Sequence, residues 1–328
     1  MPHARTTWPH ADDRPAARSG RIDVLQHLLR GAVFARPGTA SVGLRHALTH
    51  FLRCSRHLGT FRDWFGNPAR PALQEALSLR PALVMCAVHP YLNSSWRVER
   101  KLAVLGTHYG LLHGPLAFLR FRPPASIELA DAGAGIRVAL DKPGGFEHEG
   151  EININLFSGE QRLFSLAFTL GQVGIDRLAY VGGLQGRHSD DALDTYRALT
   201  HHMHGLRPRD LLVSAFRMLC ATLGVSRILA VDDRHRASSS AYFRTCTQVF
   251  SSYDSAWIDA GGVAVADGFF ELQPAIAQRP VEDIPTRKRA QYRRRYAMLD
   301  ALSQQIERVV QRHARADTVG PRPDIDVA

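Results

Sequence analysis

The densest group of chemically active side chains lies in the segment THHMHGLRPRDLL, residues 200–212. A zinc site would need two or three of these histidines on one face, normally with a further ligand. On a helix His201 and His204 lie three residues apart and could meet, whereas His202 points elsewhere. No HExxH motif and no acidic third ligand lie near the histidines, and we therefore predict no metal site.

The same segment could hold an anion. Gly205 permits a tight turn, and Pro208 suits the first turn of a helix. Free N–H groups, the helix dipole and the side chains of Arg207 and Arg209 would favour a phosphate or a carboxylate there. The alternative is a plain helix start with its arginines in water; Asp210 favours it, because its carboxylate could take the same N–H groups. Gly205, Arg207 and Arg209 are the cofactor-binding candidates of this segment.

A second group of candidates ends a predicted strand in LAYVGGLQG, residues 178–186. Glycines at a strand end indicate the close approach of another backbone or of a ligand, or a bulge. The spacing differs from the GxGxxG nucleotide fingerprint. Gly182, Gly183 and Gln185 are therefore candidates for a cofactor pocket, with an ordinary loop as the alternative.

Two histidines are the candidate catalytic bases. His89 ends an apolar segment and is followed by proline and an aromatic residue, which suits a base or a ligand contact; a structural histidine is the alternative. His204 lies within the anion segment. The acids Glu147, Glu149 and Glu151 alternate along the chain, and we expect them to be solvated on an exposed loop rather than catalytic.

The elements that position these residues change period along the chain. Residues 41–120 have helical spacing, apart from a short apolar strand predicted over 82–88, and Ser94 or Ser95 is the expected cap of a helix over 96–105. The further predictions are strands over 126–130, 136–140, 151–157, 162–170 and 177–184, helices over 191–203 and 209–223 with Gly224 as cap, strands over 227–231, 256–258 and 268–272, and a basic helix over 286–313.

This order predicts an α+β fold with an antiparallel or mixed central sheet and helices on its faces. The strand over 151–157 alternates polar and apolar residues, which is typical of a half-exposed antiparallel meander. We expect residues 1–40 to form a loosely ordered arm and 41–315 a single domain, with a helical part (41–120), an α+β core (121–280) and the basic helix. Residues 316–328 are expected to form a disordered tail.

Composition limits the class of protein. The chain has 328 residues, 45% of them hydrophobic, and a formal net charge of +10, which favours anionic partners. Neither a secretory signal nor a membrane span is evident, so we expect a cytoplasmic protein, with peripheral contact at the inner membrane as an option. The four cysteines form no CxxC pair and are expected to be buried thiols. The motifs GxSxG, P-loop and SxxK are absent, which leaves the common hydrolase and kinase readings without support.

Six cations between residues 287 and 295 mark the basic helix. An apolar stripe at positions 290, 296, 299, 302 and 306 predicts an amphipathic helix docked on the body of the protein. Binding of an acidic membrane surface or of a nucleic-acid backbone is the alternative. No zinc-finger or RNP-type motif is present, so specific nucleic-acid binding is not expected. The oligomeric state stays open.

Several segments together resemble the VirK/YbjX family of proteobacterial proteins. They are HPYLNSSW from His89, RLAYVGGLQG from Arg177, THHMHGLRPRDLL from Thr200, LGVSRILAVDD from Leu223, YDSAWIDAGG from Tyr253 and GFFELQP from Gly268. The resemblance covers roughly residues 45–312. It implies a link to virulence, to resistance against cationic antimicrobial peptides and to envelope stress, and it carries over no catalytic residue.

The predicted order of elements also resembles the acyl-CoA N-acyltransferase (GNAT-like) fold. In that fold a loop after the fourth strand binds the CoA pyrophosphate through helix N–H groups. Here HGLRP comes some twenty residues after the strand, and the Q/R-x-x-G-x-G/A motif is absent. The resemblance makes acyl-CoA the candidate cofactor, although fold alone does not decide function.

Two functions follow. The first is transfer of an acyl group to an amine, with an anionic donor at residues 205–209, His89 or His204 as base, and backbone N–H groups of a splayed strand around the oxyanion. The second is a non-catalytic envelope-stress protein that contacts anionic lipid, nucleic acid or a protein partner through its basic helix.

Overall fold

The computed structural model describes residues 21–33, 44–65, 71–120, 125–142, 145–187, 189, 191–243 and 252–318. The helices of its first half are α1 (Arg21–Val33), α2 (Leu44–Ser55), α3 (Leu58–Phe65), α4 (Pro71–Leu79) and α5 (Val98–His113). Part of the expected N-terminal arm is therefore a packed helix: Val24 and Leu28 of α1 are buried. The rest of that arm, and the tail beyond residue 318, lie outside the described residues.

The predicted strand over 82–88 is wrong. Residues Pro81–Ala87 form a 3₁₀ helix, whose first position is taken by Pro81 and which is buried from Leu83 to Ala87. α1, α2, α4 and α5 all pack against it. A short run that is apolar at every position meets the need for burial in either geometry, so its periodicity does not separate strand from helix.

The predicted serine caps of α5 are wrong as well. The residue that precedes the helix is Arg97, with an extended backbone and no capping bond from its side chain. Ser95 instead donates its hydroxyl to Asn93 Oδ1 (2.7 Å). Asn93 thus holds its own loop and leaves the first turn of α5 without a side-chain cap.

The described part of the chain forms one eight-stranded sheet in the order β1-β2-β3-β4-β5-β6-β8-β7. The strands are β1 (Ile127–Asp131), β2 (Ile136–Asp141), β3 (Ile152–Ser158), β4 (Gln161–Val173), β5 (Asp176–Gly186), β6 (Val225–Val231), β7 (Val263–Val265) and β8 (Phe269–Leu272). β1 to β5 form an antiparallel meander, β5 and β6 are parallel, and β7 and β8 form the last hairpin. The predicted α+β fold with a mixed sheet is confirmed.

The helices of the second half are α6 (Ala192–His202), α7 (Pro208–Thr222), α8 (Tyr253–Asp259) and α9 (Thr286–Thr318). α6 and α7 form the crossover from β5 to β6, and Gly224 follows α7 with a φ of +68°, as a C-terminal glycine should. The predicted strand over 256–258 is wrong, because it lies inside α8. Ser252 starts α8 by accepting a hydrogen bond from the backbone N–H of Ser255.

Helices cover both faces of the sheet. Phe168 of β4 packs against Phe216 of α7, whereas its neighbour Thr169 bonds the hydroxyl of Tyr91 on the other face. The meander is therefore not half-exposed as expected: Asn153 and Asn155 on β3 are both buried. Alternation along a strand records polarity, and polar residues can also face a buried network.

The basic helix α9 is docked through an apolar stripe. Leu299, Leu302, Ile306 and Val310 are buried, and the helix packs on α7 and β1. The stripe starts later than expected, since Ala290 is exposed. Cys54, Cys86 and Cys220 are buried free thiols, as predicted, and Cys246 lies outside the described residues. No helix of the described ranges combines the length and the hydropathy needed to cross a bilayer.

Candidate active site

The parallel strands β5 and β6 part before they end. Their register runs from Arg177 opposite Val225 to Val181 opposite Ala230. β5 then continues to Gly186 without β6 beside it. β6 pairs with β8 along its other edge and ends earlier than β5. Crevices beyond the carboxyl ends of parallel strands are a common place for ligands in α/β sheets.

The turn between β2 and β3 brings Glu149 to this opening. Phe146 O accepts hydrogen bonds from the N–H groups of Glu149 (2.9 Å) and Gly150 (3.1 Å), which closes the turn. A Cβ on Gly182 would overlap the carbonyl group of Glu149, and a Cβ on Gly183 would overlap its carboxyl group. The glycines of β5 are therefore explained by the close approach of another segment of the same chain.

Gln185 holds the carboxyl group of Glu149. Its Nε2 donates to both carboxyl oxygens, at 2.8 and 2.7 Å. Burial raises the pKa of Glu149 to about 7, against the opposing effects of the Gln185 bonds and the positive charge of Arg236. Gln185 is itself exposed, so this carboxyl group lies one side chain below the surface. A carboxyl group that titrates near neutral pH suits a general base.

Arg236 and Tyr253 complete the surroundings of Glu149. The guanidinium of Arg236 lies 4.9 Å from the ring centre of Tyr253 and forms an ion pair with Asp233 (3.3 Å). Burial raises the pKa of Tyr253, so this phenol keeps its proton at neutral pH.

A row of polar side chains leads along the sheet to this site, buried at Asn155 and Ser165 and exposed at Gln185. Asn155, Ser165 and Gln185 are opposite one another on β3, β4 and β5, and they share one face. Ser165 donates to Asn155 Oδ1 (2.7 Å), while Asn155 Nδ2 is buried and has no hydrogen-bond partner. The Asn155 side chain lies close enough to Asp141 to oppose the rise that burial causes in the pKa of that carboxyl group.

His89 lies close to the turn of Glu149 but in a cluster of its own. Its Nε2 is 3.0 Å from His50 Nδ1, and its ring packs against those of His148 and Tyr242. Burial, and then the nearby His50 and His148, lower the pKa of His89 to about 3. The ring is therefore neutral at physiological pH, and the described contacts join it to other aromatic rings.

His204 and Gly205 form the tight turn between α6 and α7, with φ values of +54° and +79°. Arg295 of α9 donates to the carbonyl oxygen of His204 from Nε (3.1 Å) and from its terminal nitrogen (2.8 Å). A Cβ on Gly205 would overlap the side chains of Gln291 and Arg295. The turn is thus a docking point for α9.

Arg207 and Arg209 share two carboxylates. Arg207 donates to Asp210 (2.6 Å) and to Asp259 of α8 (2.8 Å), and Arg209 donates to the same pair (3.2 and 2.7 Å). Two positive and two negative charges balance locally. Asp210 binds the two arginines and does not cap the backbone N–H groups at the start of α7. The first turn of α7 therefore has no side-chain cap.

The candidates therefore fall into groups at one end of the sheet. α7 runs back from the carboxyl ends of β5 and β6, so its start lies at the same end as Glu149. The structure brings Gly182, Gly183 and Gln185 together around Glu149. α8 connects this group to the arginines, with Tyr253 at one end and Asp259 at the other, about 10 Å apart for seven helical residues.

Sequence reasoning missed Glu149, Arg236 and Tyr253, and the expectation that the alternating acids are solvated is wrong for Glu149 and Glu151. Glu151 is buried and bonds Arg80 (2.8 Å) and Tyr109 (2.5 Å). Burial opposes its ionisation, but the charge of Arg80, together with His108, Lys142 and the Tyr109 hydrogen bond, outweighs burial and lowers the pKa of Glu151. The signal was the pair of glycines opposite an acid-rich turn, which only the fold brings together.

Within the described ranges, no group of three or more histidine, cysteine, aspartate or glutamate side chains is arranged to hold a metal ion. Comparison with family models matches residues 43–308 to the protein of unknown function family DUF535. The chain belongs to the DUF535 family. Its resemblance to VirK/YbjX proteins is thereby confirmed, since YbjX is among its relatives.

The curated relatives of this DUF535 protein are named as uncharacterized proteins. The uncharacterized protein YbjX of Escherichia coli K12 is 29% identical over 255 residues, which is 74% of this chain and 77% of YbjX. Two uncharacterized proteins of Haemophilus influenzae are 28% identical over 49% of the chain and 34% identical over 38%, and cover 53% and 41% of those proteins. No solved structure matches the chain.

Proposed function

We propose that this DUF535 protein transfers an acyl group from a CoA-type thioester to an amine, with Glu149 as the general base. One observation carries the proposal: a buried carboxyl group with a pKa of about 7 lies where β5 and β6 part. The order of meander, glycine-bearing strand, parallel crossover and final hairpin, which the GNAT-like resemblance implies, agrees with it.

The proposed step balances as follows. The amine nitrogen attacks the thioester carbonyl carbon, the C–N bond forms and the C–S bond breaks. Glu149 takes the proton that the attacking nitrogen loses, and the leaving thiolate takes a proton from water. Backbone N–H groups of β5 beyond Val181 no longer pair with β6, so they are suited to stabilise the oxyanion.

The donor's phosphates would bind at the start of α7, with Gly205, Arg207 and Arg209. Arg207 is half exposed, and the first turn of α7 has no side-chain cap. A phosphate would replace Asp259 as the partner of both guanidinium groups. Gly182, Gly183 and Gln185 would then line the acyl end, about 10 Å away along α8.

Thermal unfolding and thiol release test this proposal. Acyl-CoA should raise the Tm of the wild-type protein, and thiol should be released when a polyamine or an amino sugar is added. Glu149→Gln should keep the Tm shift and lose thiol release, whereas Arg207→Gln should lose the shift. Absence of any shift at millimolar acyl-CoA would contradict the proposal.

The cellular role that we propose follows the VirK/YbjX resemblance: resistance to cationic antimicrobial peptides and survival of envelope stress. A deletion strain should be more sensitive to such a peptide, and the wild-type gene should restore resistance. If the Glu149→Gln gene restores resistance equally well, acyl transfer is not the activity behind this role.

A second candidate function is binding of an acidic surface through α9. Arg287, Lys288, Arg293 and Arg294 are exposed on this helix, which favours contact with anionic lipid. Binding to phosphatidylglycerol vesicles should weaken with salt and disappear when all four become Gln. Binding that survives these substitutions would exclude α9 as the contact.

A further inference from the structure

A second cleft lies between the α2–α3 junction and the start of α5, with a volume of about 530 Å³. Its charged lining residues come from two separate parts of the chain: Arg53, Arg56 and His57 from the first, and Arg97, Glu99 and Lys101 from the second. Five of these six side chains are basic. The 3₁₀ helix contributes Ala87 to the floor.

The positive charges of the cleft are poorly neutralised. Among the described residues, the ion pair within the cleft joins His57 to Glu99 at 4.0 Å. Within the part of the chain that the structure describes, no carboxylate lies within ion-pair distance of Arg53, Arg56 or Arg97, and all three are exposed. Converging guanidinium groups without acidic partners attract an anion.

The backbone of α5 adds to this positive potential. Val98 and Glu99, in the first turn of this sixteen-residue helix, line the cleft, and no side chain caps that turn. The positive end of the helix dipole therefore faces the cleft. Lys101 closes the inner wall, where its ammonium group donates to the carbonyl oxygen of His89 (2.6 Å).

An aromatic side chain completes the lining of the cleft. Trp96 lines the cleft and is 95% buried, and its indole Nε1 has no hydrogen-bond partner. Its ring is held between the guanidinium of Arg100, 4.5 Å from the ring centre, and the edge of Tyr180. Because this nitrogen is shut off from solvent, the indole packs beside the cleft and can report on its occupancy without contacting the ligand.

We infer that this cleft binds a phosphate ester, through Arg53, Arg56 and Arg97 and the first turn of α5. Guanidinium groups match the paired oxygens of phosphate better than ammonium groups do. The volume is in the range of small-molecule sites and exceeds that of a bare phosphate. This site is separate from Glu149 and does not rest on the proposed acyl transfer.

The test uses the full chain and ligands that contain no thioester. Glycerol 3-phosphate and inorganic phosphate are the soluble probes, and phosphatidylglycerol vesicles present the same chemistry as a lipid headgroup, with phosphatidylcholine vesicles as the neutral comparison. Binding is followed by Tm and by tryptophan fluorescence. The Trp96→Phe variant should lose the fluorescence response and keep most of the Tm shift.

Matched charge variants decide the outcome. The double variant Arg53→Gln/Arg56→Gln should raise the Kd by about tenfold or more, as expected when charged hydrogen bonds are lost. Arg308→Gln/Arg312→Gln removes the same charge from two exposed positions outside the cleft and should change the Kd by less than about twofold. If the soluble probes bind as tightly as the vesicles do, the ligand is a free phosphate compound. If only the vesicles bind, the ligand is a lipid headgroup. Equal effects of the two double variants, or no binding of any probe, would overturn the inference.

Discussion

The carboxyl group of Glu149 lies directly against the α-carbon of Gly183, at the point where β5 and β6 separate. This contact explains both residues. Gly183 has no side chain because a carboxyl group occupies its place, and Glu149 is shielded from water because a strand lies against it. The site is therefore built from two segments that neither periodicity nor a local motif connects.

Glu149→Gln should change how stability depends on pH. The folded protein keeps the Glu149 proton up to about pH 7, whereas the unfolded chain loses it near pH 4.5. The wild-type protein therefore loses stability as pH rises through this window, by up to about 3 kcal/mol. Because glutamine does not ionise, the stability of the variant relative to the wild type should rise by that amount between pH 4.5 and 8.

Urea unfolding of the variant and the wild type at pH 4.5 and at pH 8 measures this difference in stability. Glu160→Gln is the control, because its side chain is fully exposed. A constant difference between Glu149→Gln and the wild type across the range would show that Glu149 is not held in its neutral form.

Gly183→Ala should destabilise the protein and disturb the site. The new methyl group would overlap the Glu149 carboxyl group, and overpacking of this kind costs about 1–3 kcal/mol. Gly110→Ala in α5 is the matched control, since nothing lies within 4 Å of the added methyl group, and it should stabilise by up to about 1 kcal/mol. Thermal unfolding compares the two; equal Tm values would contradict the close contact.

Arg80→Gln should be strongly destabilising. It would leave Glu151, whose side chain is 1% exposed, without its charged partner, and broken buried pairs typically cost about 3–5 kcal/mol. Arg137 pairs with Glu128 and Glu160 at the surface, so Arg137→Gln should cost less than about 1 kcal/mol. Chemical denaturation of both variants at pH 7 checks this; similar losses would mean that Glu151 is solvated.

His89→Gln should make the protein less sensitive to mild acid. The folded protein holds His89 neutral down to about pH 3, whereas the unfolded chain takes up a proton near pH 6.5. The wild type therefore loses stability below pH 6.5, by about 2 kcal/mol between pH 6.5 and 5 from this residue. The His89→Gln variant should lack this part of the loss of stability in acid. The control His113→Gln, at an exposed position, should lose stability as the wild type does.

The fold could largely be predicted because its signals are local. Alternation and glycine breaks mark β1 to β5, and Gly224 marks the end of α7. The run over 82–88 failed because its residues are apolar at every position and carry no period. The strand predicted over 256–258 is wrong because a helix places Trp257 against β6, where it is buried. There its indole donates to Val231 O (2.8 Å). A strand would meet the same need for burial.

The site could be predicted only in part. Gly182, Gly183 and Gln185 were marked by glycines that need an explanation, and they do meet at one group. That group, Glu149, lies more than thirty positions earlier, and only strand pairing brings it there. Arg207 and Arg209 were read as open to an anion because their partner Asp259 is fifty residues away in the sequence.

The pH dependence of acyl transfer tests the proposed activity most directly. With an acyl-CoA and a responsive amine, kcat/KM of the wild type should rise with pH through an apparent pKa of about 7 and then level off. Glu149→Gln should lower it by about 100-fold or more at pH 8 and leave the Tm shift by acyl-CoA in place. Equal rates for the variant and the wild type, or a profile without a step near pH 7, would contradict Glu149 as the base.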